Sequence, residues 1–454
     1  MLQRVLRIAE DPLTLFRKLC EGQPRAFLFQ SAEGPRRLAE LSMLGFDPQA
    51  AITLHHGRWE VEGDPGAPPD ESRTPAANLR AVLAAQQAKV DPAHRYLGGL
   101  VGAFGYEYAA RIERVPTHAN GFPEVDLGLY LDGVVYDHRQ GQVFYFSHGA
   151  DRSREVEAAA ARRADAGPVR GRDIARHPEQ GRFERMVARA HEHIVEGDVF
   201  QVVLSKQVQG RLEGDPLTFY EHLLRTNPSP YMYIIRSGER QVIGSSPEML
   251  LRVQQGRVET FPIAGTRPLG KDAAETAALA ADLRGDPKEL AEHAMLVDLA
   301  RNDVGRVATF GKVAVAEHLQ VERYSHVQHM VSRVVGELAP GKDALDAFHA
   351  LFPAGTVSGA PKVRAMEIIH DLEGRARGAY AGAVGYLGLR GSLDAAITIR
   401  TMALERDRFV VQAGAGIVAD SDPRREWLET EAKAKALVSL LDPGMPASPP
   451  KEGA

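Results

Sequence analysis

The feature that most constrains this fold is a succession of short β-rich segments joined by tight turns. The clearest are 26–31, 51–56, 96–106, 128–137, 142–147, 199–208, 231–236, 240–246, 248–253 and 257–265. Most neighbouring segments have no helix between them, so consecutive strands are expected to pair as antiparallel hairpins and not through βαβ crossovers. The pattern predicts an α+β fold, a layered sandwich of large antiparallel sheets flanked by helices.

The chain is expected to divide into two lobes and a tail. Apolar periodicity is lost near Gly167–His177, which places a boundary between an N-terminal lobe, 1–170, and a second region, 178–441. The remaining segment, 442–454, is rich in Pro and Gly and is expected to be disordered.

The end of the second region predicts a three-stranded antiparallel meander. The segments AYAGAVGYLGL, DAAITIRTMAL and RFVVQAGAGIV are separated by turn residues at Gly391 and Asp407. Short connections of this kind join antiparallel neighbours, so these three strands are expected to lie side by side in one sheet.

Composition excludes several classes of function. The chain has 55 Lys+Arg against 60 Asp+Glu and no long basic run, which disfavours a nucleic-acid or membrane surface. No apolar run approaches the roughly 18 residues of a membrane span. The only cysteine, Cys20, lies in a predicted amphipathic helix and is expected to be buried and structural. A single thiol suits a reducing compartment, so a cytoplasmic location is expected.

Two predicted helices begin with similar acidic patterns. DPKELAEH places Glu289 and Glu292 three residues apart, and DPRREWLETEAK does the same with Glu426 and Glu429, with Lys433 one turn further on. Residues at i and i+3 share a helix face, so each helix presents a pair of carboxylates. Two facing pairs would hold a hard cation such as Mg²⁺. Alternatively, the acids only complement the helix dipole.

Two glycine-containing segments are candidates for binding a ligand. The loop 355–359 leads into a helix that Pro361 can open and Gly374 can close, and a helix N-terminus of this kind can bind an anion. The strand segment AGAG, 413–416, would allow a ligand to approach the backbone closely. The alternatives are an ordinary capped helix and tight sheet packing.

Three single residues could carry chemistry in the same pocket. Arg400 ends a predicted strand and needs a carboxylate partner, which is either a ligand or a structural salt bridge. His329 could move protons or be a core histidine, and Glu248 could be a general acid or a first-turn helix acid. Together with the acidic pairs, these residues predict a site for a small compound with more than one carboxylate.

These motifs resemble those of the chorismate-binding enzymes. The resemblance covers about residues 180–440, including GDVFQVVLS, SPEML, PIAGTRP, KELAEHAMLVDLARND, VQHMVS, PAGTVSGAPKVRAME and AGAGIVADSDP. Within that family, the chain is most similar to anthranilate synthase component I. The resemblance implies Mg²⁺-dependent conversion of chorismate and ammonia to anthranilate and pyruvate in tryptophan biosynthesis. It also implies a hetero-oligomer in which a glutamine amidotransferase subunit, anthranilate synthase component II, supplies the ammonia.

The resemblance also implies roles for individual residues. The expected metal ligands are Glu292 and Glu429, supported by Glu289 and Glu426. The expected substrate-binding residues are Gly265, Thr266, Tyr380, Arg400, Gly414, Ala415, Gly416 and Lys433. The expected catalytic residues are Glu248 as the acid, together with His329, Thr356 and Gln201.

Two positions distinguish the possible reactions within the family. Gln201 stands where relatives that add water carry a lysine base, which disfavours water addition. Ala264 stands where many aminodeoxychorismate synthases carry a lysine nucleophile, so direct addition of the amine is expected. Aminodeoxychorismate synthase component I remains an alternative, and so does an aminodeoxyisochorismate synthase that stops before pyruvate is lost. A different class, a non-catalytic tryptophan-sensing or scaffold subunit, is disfavoured by the intact acidic pairs.

The resemblance finally implies feedback inhibition by L-tryptophan. The effector segments are Asn227–Met232, with sequence NPSPYM, and Phe29–Ser31. The expected effector residues are Gln30, Ser31, Asn227, Pro230, Tyr231 and Met232. Gln30 replaces the family's usual glutamate, so it lacks the charge that would pair with an ammonium group, and weaker binding is expected. The alternative is that NPSPYM is only a Pro-rich turn.

Overall fold

The structure is a computed structural model that describes residues 1–32, 40–86, 95–119, 121–324 and 327–441. The tail predicted at 442–454 lies outside the described residues. Within them, no helix combines the length and the apolar character needed to cross a membrane.

The strands are short and follow one another closely along the chain. Their bounds are β1 Leu2–Val5, β2 Arg25–Gln30, β3 Leu41–Phe46, β4 Ala50–His55, β5 Arg58–Gly63, β6 Gly99–Phe104, β7 Val125–Tyr130, β8 Asp132–Asp137, β9 Gln142–Ser147, β10 Val169–His177, β11 Gln201–Gly214, β12 Tyr231–Ser237, β13 Arg240–Ser246, β14 Met249–Gln254, β15 Arg257–Thr260, β16 Ile263–Pro268, β17 Ala314–Arg323, β18 Val327–Glu337, β19 Gly359–Ala360, β20 Ala383–Gly388, β21 Leu393–Ile397, β22 Thr401–Glu405 and β23 Arg408–Ile417.

The helices lie outside the strands. Their bounds are α1 Pro12–Leu19, α2 Pro75–Ala85, α3 Ser153–Ala160, α4 Gln180–Val195, α5 Pro216–Thr226, α6 Ala273–Gly285, α7 Pro287–Gly305, α8 Ala344–Leu351, α9 Lys362–Glu373 and α10 Pro423–Val438. Helices α7 and α10 begin at Asp-Pro pairs, and the side chains of Asp286 and Asp422 accept hydrogen bonds from first-turn N–H groups. These caps satisfy backbone donors that would otherwise have no partner, which fixes where each acidic helix starts.

The strands of the described residues form two large antiparallel sheets, as the sequence predicts. The larger sheet has the order β1-β9-β8-β3-β2-β12-β13-β22-β23-β11-β10, with β19 paired to β11. The other has the order β16-β18-β15-β14-β21-β20-β6-β7-β4-β5, with β17 paired to β18. One apolar cluster takes side chains from both sheets, among them Phe27, Tyr233, Val101 and Val384. Further clusters pack helices on the outer faces, so the expected layered sandwich is confirmed.

Both sheets take strands from both sides of the predicted lobe boundary. Strand β2 pairs with β12 in the larger sheet, and β6 pairs with β20 in the other. The boundary segment itself, expected to lose regular structure, forms the edge strand β10, which pairs with β11. Its many charged residues are compatible with an edge strand, because charges there discourage pairing with another chain.

The predicted three-stranded meander is wrong in one respect. Strands β20 and β21 pair in one sheet, whereas β22 and β23 pair in the other. The segment DAAITIRTMAL is therefore two strands, and the chain changes sheets between Ile397 and Thr401. Arg400 has a φ of +49°, a left-handed conformation that interrupts the strand and turns the chain.

Cys20 is buried at the end of α1, as expected. Burial raises the pKa of its thiol to about 12. The thiol therefore stays protonated at neutral pH and is a poor nucleophile, which supports the structural role predicted from the sequence.

Candidate active site

Two chain segments cross between the sheets side by side, and they carry Glu248 and Arg400. Glu248 lies in the turn between β13 and β14, and Arg400 lies between β21 and β22. The Ile397 N–H donates to the Glu248 carbonyl at 3.1 Å, and the Ser245 N–H donates to the Arg400 carbonyl at 3.2 Å. These backbone hydrogen bonds hold the acidic and the basic residue at neighbouring positions.

Glu248 has the properties of an acid that can give up a proton near neutral pH. Burial raises the pKa of its carboxyl group to about 7, although the hydrogen bond from Thr356 and the charges of Arg400 and Lys433 oppose the rise. The Thr356 hydroxyl donates to Oε1 at 2.7 Å. A carboxyl group with this pKa is partly protonated at pH 7 and can act as a general acid.

Arg400 lies beside Glu248 and has no carboxylate partner among the described residues. Its Nη1 donates to the side-chain oxygen of Asn227 at 3.2 Å. The structural salt bridge considered as an alternative is therefore not formed with any described residue. Since a guanidinium group has five N–H donors, Arg400 retains the capacity to bind an anionic ligand.

His329 lies on β18, opposite Thr266 of β16. Its Nδ1 is 3.1 Å from the Gly265 carbonyl oxygen and 3.0 Å from the Thr266 hydroxyl. A carbonyl oxygen only accepts, so Nδ1 carries the hydrogen in this arrangement and Nε2 has a free lone pair. Burial, followed by the charge of Arg400, lowers the pKa of the imidazole. These effects favour the neutral imidazole, which is the form that can accept a proton.

Gly414 and Gly416 of β23 have no side chains that would collide with Tyr380 and Gln201. A Cβ atom on Gly414 would lie 2.4 Å from the Tyr380 hydroxyl, and one on Gly416 would lie 2.9 Å from the Gln201 side-chain nitrogen. Both distances are shorter than a non-bonded contact allows. The face of β23 between Tyr380 and Gln201, which we call the glycine cradle, therefore lets the Tyr380 hydroxyl and the Gln201 amide lie close to the backbone of the strand.

The other predicted residues of this strand have different surroundings. Ala415 packs on the opposite face of the sheet, in the apolar cluster under α4 and α9. Its side chain therefore does not face the cradle. Lys433 of α10 donates to the Gly414 carbonyl at 3.0 Å and pairs with Glu429 at 2.7 Å. These contacts place a positive charge beside the cradle.

The four predicted metal ligands divide into two kinds. Glu289 pairs with Arg267 at 2.9 Å, and Glu429 pairs with Lys433. Glu292 and Glu426 are half-buried and form no ion pair with a described residue. Each acidic helix therefore has one carboxylate that is neutralised internally and one that is not.

The carboxylates at the N-terminal ends of α7 and α10 affect one another electrostatically, although no three of the four lie within 4.8 Å of one another. Burial raises the pKa of Glu292, and so do the charges of Glu289, Asp286 and Glu426. Burial also raises the pKa of Glu426, as does the charge of Glu429. Carboxylates that raise one another's pKa are stabilised when a cation lies among them. Oxygen ligands of this kind suit Mg²⁺.

Comparison with known proteins identifies the family. A family model described as chorismate binding enzyme matches residues 7–439. The chain belongs to the chorismate-binding enzymes. Similar members are the anthranilate synthase component 1 of Methanothermobacter marburgensis and that of Aquifex aeolicus. The first is 45% identical over 432 residues, covering 95% of this chain and 93% of the relative. The second is 42% identical over 461 residues, covering 95% and 92%.

Solved structures of relatives agree with the fold of this chorismate-binding enzyme. Anthranilate synthase component I from Streptococcus pneumoniae superposes with a TM-score of 0.79 at 37% identity, covering 88% of this chain and 92% of that one. The menaquinone-specific isochorismate synthase of Escherichia coli superposes with a TM-score of 0.74 at 21% identity, covering 97% and 94%. At that identity the second similarity shows the fold alone.

The residues predicted to bind an effector lie at a separate cavity between the two sheets. Five of the six line it: Gln30, Ser31, Pro230, Tyr231 and Met232. Its volume is about 50 Å³, which is room for one or two water molecules and not for an amino acid. An effector would therefore have to widen it. Asn227 lies at the other end of its segment, where it contacts Arg400.

The structure explains why position 265 is a glycine, which the sequence alone did not reveal. Its φ is +71°, and a Cβ atom would lie 2.7 Å from Leu283 and 2.9 Å from the Glu289 carboxylate. The glycine thus allows α6 and the acidic helix α7 to pack against β16. Thr266 is exposed, and its hydroxyl is oriented towards His329.

Sequence analysis missed the buried pair of Glu373 and Arg377, which binds the backbone of the Thr356 loop and of β11. Arg377 donates at 2.7 Å to the carbonyls of Val357, next to Thr356, and of Val203, opposite Gly416. Glu373 pairs with Arg377 at 2.6 Å. The i, i+4 spacing of Glu373 and Arg377 is visible in the sequence. The same spacing is common in exposed ion pairs on helices, so it does not indicate a buried pair.

Proposed function

We propose that this chain converts chorismate and ammonia to anthranilate, pyruvate and water. The observation that carries the proposal is the position of Glu248, with a pKa of about 7, beside Arg400, which has no carboxylate partner among the described residues. Arg400 and Lys433 would bind the carboxylates of the substrate above the glycine cradle. Glu248 would then face the ring hydroxyl that leaves.

In the first stage, the nitrogen of ammonia bonds to a ring carbon as the bond from the ring to its hydroxyl breaks. Glu248 supplies the proton, so the hydroxyl leaves as water, and the added nitrogen loses one proton to restore the balance. Thr356 holds the carboxyl group in position for this transfer. A positioned acid of this kind contributes about 10²- to 10⁴-fold to a rate.

In the second stage, the ring becomes aromatic. A ring C–H proton leaves, the bond to the enolpyruvyl oxygen breaks, and the enolpyruvyl group takes up a proton to depart as pyruvate. His329 is the base for the ring proton, because its Nδ1 hydrogen is engaged by the Gly265 carbonyl and its Nε2 has no hydrogen-bond partner among the described residues. The imidazole then returns that proton to the departing group.

Mg²⁺ would be held by Glu292 and Glu429 with support from Glu289 and Glu426, and when bound it would neutralise a substrate carboxylate. The acidic residues would otherwise repel the substrate. The positive charges of Arg400 and Lys433 would complete the compensation.

Two side chains favour amine addition over the other reactions of the family. Gln201, beside Gly416, has an amide that cannot act as a base towards water. Ala264, paired with Met330 in the sheet, has a methyl group that cannot form a covalent adduct. The proposal includes a glutamine amidotransferase subunit as the ammonia source and L-tryptophan as an inhibitor bound at the cavity lined by Ser31 and Met232.

The test is to identify the product after mixing the protein with chorismate, Mg²⁺ and an ammonium salt at mildly alkaline pH. We expect anthranilate and pyruvate in equal amounts, measured by chromatography with mass detection. Ala264→Lys is expected to impair anthranilate formation, and excess EDTA to abolish it. Accumulation of 4-amino-4-deoxychorismate or isochorismate as the main product would contradict the proposal.

A further inference from the structure

Lys206 of β11 is a fully buried lysine that the proposed function does not use. It pairs with Ala413 of β23, one residue before Gly414. Because side chains alternate between the two faces of a strand, Lys206 points away from the glycine cradle. Its neighbours on this outer face of the sheet, Leu204 and Val208, are apolar and buried. A lysine in such surroundings needs a specific partner, because burial of an unpaired charge is costly.

The partners of Lys206 lie on helix α10. Its Nζ donates to the Glu431 carboxylate and lies 3.5 Å from the centre of the Trp427 ring, a cation–π contact. Glu431 is part-exposed and also accepts a hydrogen bond from Arg176 of β10 at 3.3 Å. Burial, together with the charge of Arg176, lowers the pKa of Lys206 to about 7. An amine has N–H donors with or without its charge, so the bond to Glu431 is available to both forms of the lysine.

Helix α10 also carries residues of the proposed substrate and metal sites. Glu426, Glu429 and Lys433 follow the spacing i, i+3 and i+7 and share one side of the helix. Trp427 and Glu431 are four residues apart and share another side. At 3.6 residues per turn, Glu431 and Glu429 point about 160° apart around the helix axis. The helix is therefore bound to β11 on the side that faces away from the site.

Two contacts on different sides of α10 join this helix to adjacent strands. Lys433 donates to the Gly414 carbonyl of β23 at 3.0 Å, and Glu431 accepts from Lys206 of β11. The apolar side chains beneath the helix pack without a strong directional preference, so they do not by themselves prevent a small rotation of the helix. With both polar contacts in place, a rotation that moves Lys433 away from Gly414 also has to break the bond between Glu431 and Lys206.

We propose that Lys206 is a positioning residue for the substrate site, which fixes the rotation of α10 through Glu431 and Trp427 and thereby the place of Lys433. The inference rests on the proposed function, in which Lys433 binds a substrate carboxylate. An apolar residue at position 206 would fill the same space but would not set the orientation of the helix. Replacement of a buried charge by an apolar group of similar volume is often neutral for stability, so the loss is one of position and not of folding.

The test breaks the buried contact from either side. Lys206→Met removes the polar group and keeps an unbranched side chain of similar length, while Glu431 retains Arg176 as its partner. Glu431→Leu removes the acceptor on the helix, so a folding defect in one variant does not decide the result. Arg176→Met is the matched control, because it removes the exposed partner of Glu431 and keeps the buried one.

The first measurement is the reactivity of Lys433 towards acetic anhydride in the absence of substrate. The exposed Lys435 of the same helix is the internal reference, and mass spectrometry quantifies the acetylation of each lysine. In both variants that break the buried contact, the ratio of Lys433 to Lys435 acetylation should rise about three- to tenfold, because the Lys433 amine loses its hydrogen bond to Gly414. The control should keep the ratio of the natural chain. An unchanged ratio in both variants would overturn the proposal.

The second measurement is steady-state kinetics with chorismate at saturating ammonia and Mg²⁺. Lys206→Met should raise the KM for chorismate about tenfold or more, because a small displacement of a binding group is costly. Its midpoint of thermal unfolding should stay within about 2 °C of that of the natural chain. Addition of Glu431→Leu to this variant should raise the KM no further, because both substitutions remove the same contact. A lower unfolding midpoint with an unchanged KM would show that Lys206 only packs, and would overturn the proposal.

The two proposals fail in different ways. If the natural chain makes no anthranilate, the proposed function is wrong, and the acetylation ratio decides whether Lys206 positions Lys433. If the natural chain makes anthranilate and Lys206→Met keeps its KM for chorismate, only the positioning role is wrong.

Discussion

The hydrogen bond from Thr356 to Glu248 gives a prediction about the pH dependence of the reaction. The Thr356 hydroxyl donates to the Glu248 carboxyl at 2.7 Å and favours its ionised form. Thr356→Val keeps the shape of the side chain but removes this donor. The pKa of Glu248 should then rise, since burial, which already raises it, is no longer opposed by that bond.

The size of the shift follows from the strength of such bonds. A hydrogen bond to a charged group is worth about 1.5–3 kcal/mol, and one pKa unit corresponds to about 1.4 kcal/mol. The hydroxyl can rotate and accept a hydrogen bond from the protonated acid, so about half of this value distinguishes the two forms. We expect a rise of about 1 unit from the pKa of about 7. At pH 8 the protonated fraction would increase from about one tenth to about one half.

The direction in which the pH profile moves distinguishes a general acid from a base. A general acid works only when it is protonated, so activity should fall as pH rises through the pKa of Glu248. In Thr356→Val this descending limb should move to higher pH, even if the maximal rate is lower. The measurement is kcat/KM for chorismate from pH 6 to 9 at a constant concentration of free ammonia.

Thr356→Ser is the matched control because it keeps the hydroxyl, and its descending limb should stay in place. Glu248→Gln should lose the limb together with most of the activity, about 10²- to 10⁴-fold. A limb that stays in place in Thr356→Val, or moves to lower pH, would refute the assignment of Glu248 as the acid.

Three further predictions concern the metal, the substrate and the effector. Glu292→Gln should weaken Mg²⁺ binding at least tenfold in calorimetry, because it removes a carboxylate that forms no ion pair with a described Lys or Arg. An unchanged affinity for Mg²⁺ would show that Glu292 is not a metal ligand. Arg400→Gln should raise the KM for chorismate about ten- to hundredfold, the equivalent of one charged hydrogen bond, whereas an unchanged KM would show that the guanidinium does not contact substrate. L-Tryptophan should inhibit the natural chain, and both Ser31→Ala and Met232→Thr should relieve the inhibition; a natural chain that is indifferent to saturating tryptophan would contradict the effector site.

Much of the fold was predictable because it depends on local patterns. Alternating apolar residues and short turns specify antiparallel strands, and the Asp-Pro pairs specify where α7 and α10 begin. The acidic residues at i and i+3 share a helix face wherever the helix lies. These features need no knowledge of distant parts of the chain.

The assignment of strands to sheets was not predictable in the same way. Within DAAITIRTMAL nothing breaks the β-rich pattern, yet the chain changes sheets there. The left-handed conformation at Arg400 is stabilised by surroundings from elsewhere in the chain, such as Ser245. Local propensity disfavours a positive φ at arginine, so only the tertiary structure selects it.

The buried pair of Glu373 and Arg377 shows why the support of a site is harder to predict than the site itself. Transfer of two charges out of water is costly, and an ion pair alone does not offset the cost unless the remaining donors and acceptors are also bonded. Here Arg377 donates to carbonyls on two other segments and Glu373 accepts from Ser205 of β11. These partners lie 20, 174 and 168 residues away along the chain. The pair is therefore stable only after β11 and the Thr356 loop have come together, and it in turn holds them in position.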